Sequence, residues 1–291
     1  MKIILHAGAH NTEGDRLLRS LLRNTEDFAA QGIAVPGPGR YRPLLNDAFE
    51  AMESAAPSRE ARDVLIDAIL DESQAKRMIL SNPNLFGHPG KAVGDGEFYP
   101  LAAFRLHQLE TIFAGDDLEL FIAISNPALF LPSALANFGA ARKREIVSAM
   151  DLEALRWSDM LKSLREVAPE VPITTWCAED APFIWPDIIR AMAGLPPGRK
   201  IVGGFDLLGQ IMSRDGMRRF RAYLADHPDM TEPQKRRVMA AFLSKFALED
   251  QIEEELDLPG WNDATIEHLT SLYEADVARI GAMPGVRLIA P

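Results

Sequence analysis

The stretch MKIILHAGAHNTEGDRLLRS, residues 1–20, carries the reading of the fold. Lys2 to Leu5 form a short Ile-rich run, the pattern of a buried strand. A turn follows from Gly8 to Asp15. From Arg16 onward, Leu17, Leu18, Leu21 and Leu22 recur at helical spacing, which gives the next element one apolar face. Strand, glycine-containing loop and helix in that order build the unit that holds phosphate in nucleotide-binding α/β proteins. Its loop amides and helix N-terminus converge on an anion. This loop, however, has no lysine and carries two acids, Glu13 and Asp15. Whether the cradle still takes an anion is therefore the functional question.

Working outward, the same alternation repeats. The first helix continues through Asn24–Ala30 and ends at Gly32, a C-cap glycine. Gly32–Pro43, GIAVPGPGRYRP, is too rich in Pro and Gly for regular structure, and residues 44–76 are mostly helical in pattern, broken near Pro57. RMILS, Arg77–Ser81, reads as a second strand. LELFIAI, Leu118–Ile124, is nearly continuous in apolar residues, as a central parallel strand buried on both faces requires. ITTWC, Ile173–Cys177, is a fourth strand and Gly285–Ala290 a short terminal one. Helical patterns lie between them at Tyr99–Phe113, Ala128–Phe138, Asp151–Val167 (with Asp151 as N-cap) and Asp180–Ala193. Three more occupy Asp206–Leu224, Pro233–Leu256 and Ala264–Met283. Alternating strands and helices predict a mostly parallel sheet covered on both faces, with a helical C-terminal part. No composition break is long enough to be a linker, so residues 1–291 read as one domain.

Composition bounds the function. The chain is 47% hydrophobic and 25% charged, with a formal net charge of −11. That balance argues against nucleic-acid and membrane-surface binding, which need a basic face. Arg142–Arg144 and Lys235–Arg237 are short basic runs that read as solvated helix faces. The single cysteine, Cys177, excludes an intrachain disulfide and a cysteine-rich zinc site, and reads as an inert buried thiol. The four tryptophans read as packing residues. The N-terminus lacks a charged segment followed by an apolar core, and no run of about eighteen apolar residues occurs, so the expectation is a cytoplasmic protein.

The loop also resembles that of the sulfotransferase-like P-loop proteins of bacteria, typically H-x-G-x-H-K-T-G-T-T. His6, Gly8, His10 and Thr12 match; Asn11 stands at the lysine position and Glu13, Gly14 and Asp15 replace Gly-Thr-Thr. Gly32-Ile33, Pro36-Gly37 and Tyr41-Arg42 echo the segments that follow, and Tyr273–Val286 is similar to the final helix and strand entry. In IAISNPALFLPSAL, Asn126-Pro127 and Ser133 match a second pattern, in which an Arg at the strand end and the later Ser bind the donor's 3′-phosphate. Ser125 stands at the arginine position. The resemblance implies a three-layer P-loop-type fold and transfer of a sulfuryl group from 3′-phosphoadenosine 5′-phosphosulfate to a hydroxyl on a carbohydrate or small metabolite. It places Gly8, Thr12, Gly14, Arg16, Ser125 and Ser133 at the donor and His10 and Asn11 in the chemistry.

The replacements oppose that donor. Sulfuryl transfer builds negative charge on the bridging oxygen, which a cation or preorganised donors stabilise by several kcal/mol. Asn11 brings a hydrogen bond and no charge. Two like charges ~4 Å apart cost about 1 kcal/mol in water and more when desolvated, so Glu13 and Asp15 work against the donor's phosphates. Loss of arginine at position 125 removes a bidentate clamp. Acids in a helix's first turn also cap its N–H groups, so Glu13 and Asp15 are expected to accept bonds from them and fill the anion site. A base for the acceptor hydroxyl is sought in HPGKAVGDGEFYP, at His88, Asp95 or Glu97, with Lys91 as a nearby cation. Arg16, Arg40 and Arg42 are further cations, Arg16 in a salt bridge to Asp15 or Glu13. A metal reading of His6, His10, Glu13 and Asp15 matches no ligand spacing. Two functions stand at this point: a sulfotransferase with an altered donor site, and a non-catalytic relative that binds a protein partner or regulates.

Overall fold

The structure, a computed structural model, describes residues 1–71, 74–94, 96–252 and 258–291. Asp95, the end of the Pro233–Leu256 pattern and two residues of the 44–76 pattern lie outside the described residues. The chain runs β1 (Lys2–His6), α1 (Arg16–Leu22), α2 (Thr25–Ala29), β2 (Ile33–Ala34), α3 (Pro38–Met52), α4 (Ala61–Leu70) and β3 (Arg77–Ser81). It continues through β4 (Val93–Gly94), β5 (Glu97–Phe98), α5 (Ala102–Ile112), β6 (Asp117–Ile124), α6 (Pro127–Ala134), α7 (Ala140–Ala149), α8 (Trp157–Val167) and β7 (Ile173–Cys177). Last come α9 (Ala181–Ala193), α10 (Leu208–Ile211), α11 (Arg214–Asp226), α12 (Glu232–Phe246), α13 (Asp263–Gly281) and β8 (Val286–Ile289).

Six strands form one sheet in the order β2-β3-β1-β6-β7-β8, and every pair in it is parallel. Alternation along each strand splits the core between the two faces. Ile3, Leu5, Leu80, Leu120 and Ile122 belong to a cluster shared with α3, α4, α5 and α8. Ile4, Ile79, Phe121 and Trp176 belong to another, shared with α1 and α9. Trp157, Trp176 and Trp185 are fully buried. No helix among the described residues is long and apolar enough to cross a membrane.

Several boundaries differ from the sequence expectation. The Gly32–Pro43 stretch is not irregular throughout: β2 lies inside it and α3 begins at Pro38, where proline's missing N–H is one the helix never uses. The 128–138 helix stops at Ala134, and α7 follows as a separate element. Asp151 does not cap a helix. Its carboxylate accepts the Glu153 N–H at 3.1 Å in a local turn, and α8 starts six residues later at Trp157. Within HPGKAVGDGEFYP the backbone makes a short antiparallel hairpin, β4 with β5.

Past β7 the helical part builds a small core of its own from Leu208, Met212, Met217, Phe220 and Met239. Gly216 permits this, since a Cβ there would lie 2.5 Å from that of Phe246. Arg236 of α12 pairs with Asp187 of α9 at 2.7 Å, which ties the helical part to the sheet's cover.

Candidate functional site

The loop after β1 turns through three left-handed residues, Gly8 (φ 56°), Asn11 (φ 60°) and Gly14 (φ 53°). Two are glycine, and asparagine is the side chain that best tolerates this conformation. The curl carries Glu13 back beneath the loop, where it is 3% exposed. Its Oε1 lies 2.7 Å from His6 Nε2, and His6 Nδ1 lies 2.8 Å from the Ser81 hydroxyl. The His6 ring stacks on Trp176. Ser81 is fixed in turn by Tyr41, whose hydroxyl donates to the Ser81 carbonyl at 2.6 Å and accepts the Ser81 N–H at 2.9 Å. Among the described residues Glu13 Oε2 has no partner.

This corrects the capping expectation. Neither acid bonds to a backbone N–H of the first helical turn, and α1 has no side-chain cap. Glu13 goes to His6, and Asp15 goes to Arg42, whose Nη2 donates to it at 2.6 Å. That hydrogen bond holds the Asp15 carboxyl below its usual range. Arg16, expected to pair with one of them, is exposed at the start of α1. Arg40 sits 3.8 Å from Asp71. Of these cations Arg42 is taken by Asp15 and Arg40 stands by Asp71, while Arg16 is exposed.

His10 is held from three sides. Its backbone N–H donates to the Tyr99 hydroxyl at 2.8 Å, its Nδ1 lies 2.7 Å from the same oxygen, and its Nε2 lies 3.0 Å from Asn84 Oδ1. Facing an acceptor at Asn84, Nε2 carries the proton, so the Tyr99 hydroxyl donates to Nδ1. Burial lowers the His10 pKa, which disfavours the charged ring. Tyr99 is itself buried in a left-handed turn (φ 49°), and burial raises its phenol pKa.

The opposite wall comes from the ends of β6 and β7. Their register pairs Ile124 with Cys177, so Ser125 and the segment just after Cys177 leave the sheet side by side. Glu179 closes the gap between them. Its Oε1 accepts the Ser125 hydroxyl at 2.8 Å and the Asn126 N–H at 2.7 Å, and its Oε2 accepts the Tyr273 hydroxyl at 3.1 Å. Asn126 caps α6 through the Ala128 N–H, and Trp157 donates its indole N–H to the Ser125 carbonyl. Burial pushes the neighbouring Cys177 thiol up to about 11, as an inert thiol should be.

Five predicted residues meet here. His10, Asn11, Thr12, Ser125 and Ser133 line one cleft of about 100 Å³ together with Glu179. Asn11 spans it, donating its amide to the Ser133 carbonyl at 3.0 Å. Among the described residues no lysine or arginine lines it, and its volume falls below the roughly 300 Å³ at which small-ligand pockets begin. Gly8 and Gly14 shape the loop rather than the cleft. Glu97 is not in it, since it lines a separate cavity. His88 precedes a short turn, Pro89–Lys91, that ends on Lys91, and Asp95 lies outside the described residues. No cluster of three or more His, Cys, Asp or Glu side chains among the described residues is placed to hold a metal ion.

The sequence reading missed Glu179, Tyr99 and Tyr273. A signal for Glu179 existed: it lies two residues past a strand at the carboxyl edge of a parallel sheet, where ligand sites form. No protein-family model matches the chain, nor does any curated protein or solved structure.

Proposed function

We propose that this chain is a sulfotransferase-like protein of the P-loop type that no longer uses 3′-phosphoadenosine 5′-phosphosulfate, and that it works as a binding or regulatory module. The observation that carries this reading is the position of Glu179. In the family pattern, the strand-end arginine and the following serine take the donor's 3′-phosphate. Here the strand-end residue is Ser125, and both its hydroxyl and the Asn126 N–H already serve a carboxylate. A phosphate brought to that place meets a like charge and two donors in use. On the other wall Asn11 is spent on the Ser133 carbonyl and burial disfavours a charged His10. Among the described residues the cleft thus offers no cation to a leaving group that gains charge.

The test is thermal unfolding with millimolar 3′-phosphoadenosine 5′-phosphate. A ligand at a hundred times its Kd stabilises by about 2.7 kcal/mol, a rise of a few degrees for a chain of this length. The expected result is an unchanged Tm. A rise of several degrees overturns the proposal and restores the transferase reading with a hydroxyl acceptor. The triple variant Asn11→Lys, Ser125→Arg, Glu179→Gln is expected to gain a shift that the native chain lacks.

A further inference from the structure

The two edges of the parallel sheet are finished differently. β2 closes one of them with only two residues before the chain turns at Pro36-Gly37 into α3. A strand that short is a standard way to keep an edge from pairing. β8 closes the other with four residues, Val286–Ile289, and Ala290 extends it. This stretch holds no acid in a chain of net charge −11, and its single charge is Arg287. Val286, Leu288 and Ile289 are half-buried, while Arg287 and Ala290 are exposed.

The bonds to β7 decide which backbone groups of β8 stay free. The two strands are parallel, with Ile173 opposite Val286 and Thr175 opposite Leu288. The Ile173 N–H donates to the Gly285 carbonyl at 3.1 Å. In a parallel ladder that bond turns the N–H and C=O groups of Arg287 and Ile289 toward β7. Leu288 therefore directs both of its groups outward, Val286 its carbonyl and Ala290 its N–H. The Val286 N–H is already given to the Met283 carbonyl at 3.2 Å. Among the described residues the outward groups have no hydrogen-bond partner within the chain. Pro291, which has no N–H, falls at an inward position and leaves the outer row intact.

We infer that this edge pairs with the same edge of a second copy of the chain, antiparallel about a two-fold axis at Leu288. The free groups read the same from either end. Leu288 exchanges both of its bonds with its counterpart, and each Ala290 N–H reaches the opposite Val286 carbonyl. The Val286 N–H is spent within its own chain, so only the Ala290 carbonyl is left to water. Arg287 falls opposite Ile289, and no like charges meet across the pair. Such a contact uses one patch twice and closes at two copies, joining both six-stranded sheets into one. The pairing is independent of how the cleft is read.

The experiment is sedimentation velocity of the full chain from about 1 to 100 μM, a range that captures a micromolar Kd. A monomer–dimer equilibrium is expected. Leu288→Pro removes the outward N–H and leaves the bonds to β7 in place. Leu288→Lys sets two ammonium groups opposite each other at the axis. Each should weaken the dimer at least about tenfold. Val64→Lys, on the exposed side of α4, should leave it unchanged. Three results would each overturn the pairing: a monomer throughout the range, a dimer undiminished in either folded Leu288 variant, or an equal loss in Val64→Lys. Thermal unfolding of each variant confirms that it is folded, and Leu288→Lys decides alone if the proline variant is not.

Discussion

Two carboxylates flank the same loop-and-strand edge and are held in opposite ways. Glu13 is buried beneath the loop, bonded to one histidine and left with an unpartnered oxygen among the described residues. Glu179 lies on the exposed rim with three neutral donors on its two oxygens. The first is desolvated and depends on its partner. The second keeps water and has several partners, so no single contact decides its cost. The contrast separates what the fold needs from what a ligand would meet.

The largest effect tests the buried member. Removing the Glu13 carboxylate leaves a buried His6 ring nitrogen without its partner, and an unsatisfied buried polar group costs about 1–3 kcal/mol, more where a charged group is involved. Glu13→Ala should therefore lower unfolding stability by about that amount, measured by urea titration. Glu13→Gln, which keeps a hydrogen-bonding group beside His6, should lose less. Equal losses in the two variants would mean that the hydrogen bond kept by glutamine contributes nothing and the charge carries the whole effect; a Glu13→Ala loss no larger than that of Glu179→Gln would collapse the contrast.

The middle effect concerns the hydroxyl that holds the loop at His10. Tyr99→Phe strips the partner from both the His10 N–H and Nδ1, and an unsatisfied buried polar group costs about 1–3 kcal/mol. His10 adds a pH dependence. Its folded pKa is lowered by burial, so the unfolded chain binds the proton more readily. Stability from this group is present above the unfolded value near 6.5 and is lost as pH falls below it, at up to about 1.4 kcal/mol per pH unit. His10→Asn should flatten that part of the curve relative to the native chain. A curve of unchanged slope would place the proton uptake on another histidine.

How much of this was legible depends on which forces acted locally. Leu118–Ile124 declares β6 because a strand buried on both faces must be apolar throughout, and the structure buries Leu120 to Ile124 completely. The five strands read from sequence all appear, and β2, β4 and β5 escaped because two residues each carry too little pattern. Asp151 misled because the same side chain that caps a helix also closes a tight turn, and only tertiary packing of Trp157 decides between them. Within the site, the loop and Ser125 and Ser133 were visible as positions along the chain. Glu179 was marked only by its place after a strand; its pairing with Ser125 was not legible, since it comes from the β6–β7 register that sets them side by side. Pairings such as Glu13 with His6, and Asp15 with Arg42 rather than Arg16, likewise depend on how the chain folds back. Local rules assigned those acids to the helix end, and buried or better-placed partners took them.

The smallest effect tests the exposed member and closes the comparison. Glu179→Gln keeps an acceptor for the Ser125 hydroxyl and the Asn126 N–H while removing the charge. Hydrogen bonds exchanged with water contribute about 0.5–1.5 kcal/mol each, and an exposed charge adds little. The variant should lose less than about 1 kcal/mol, well under the Glu13 variants. Its consequence should show in binding instead, because the like charge facing an incoming phosphate is gone while the fold stands. Inorganic sulfate should therefore stabilise Glu179→Gln more than the native chain, read as a Tm shift at matched ionic strength. If Glu179→Gln unfolds as readily as Glu13→Ala, the rim carboxylate belongs to the fold's own support and the division between the two acids fails.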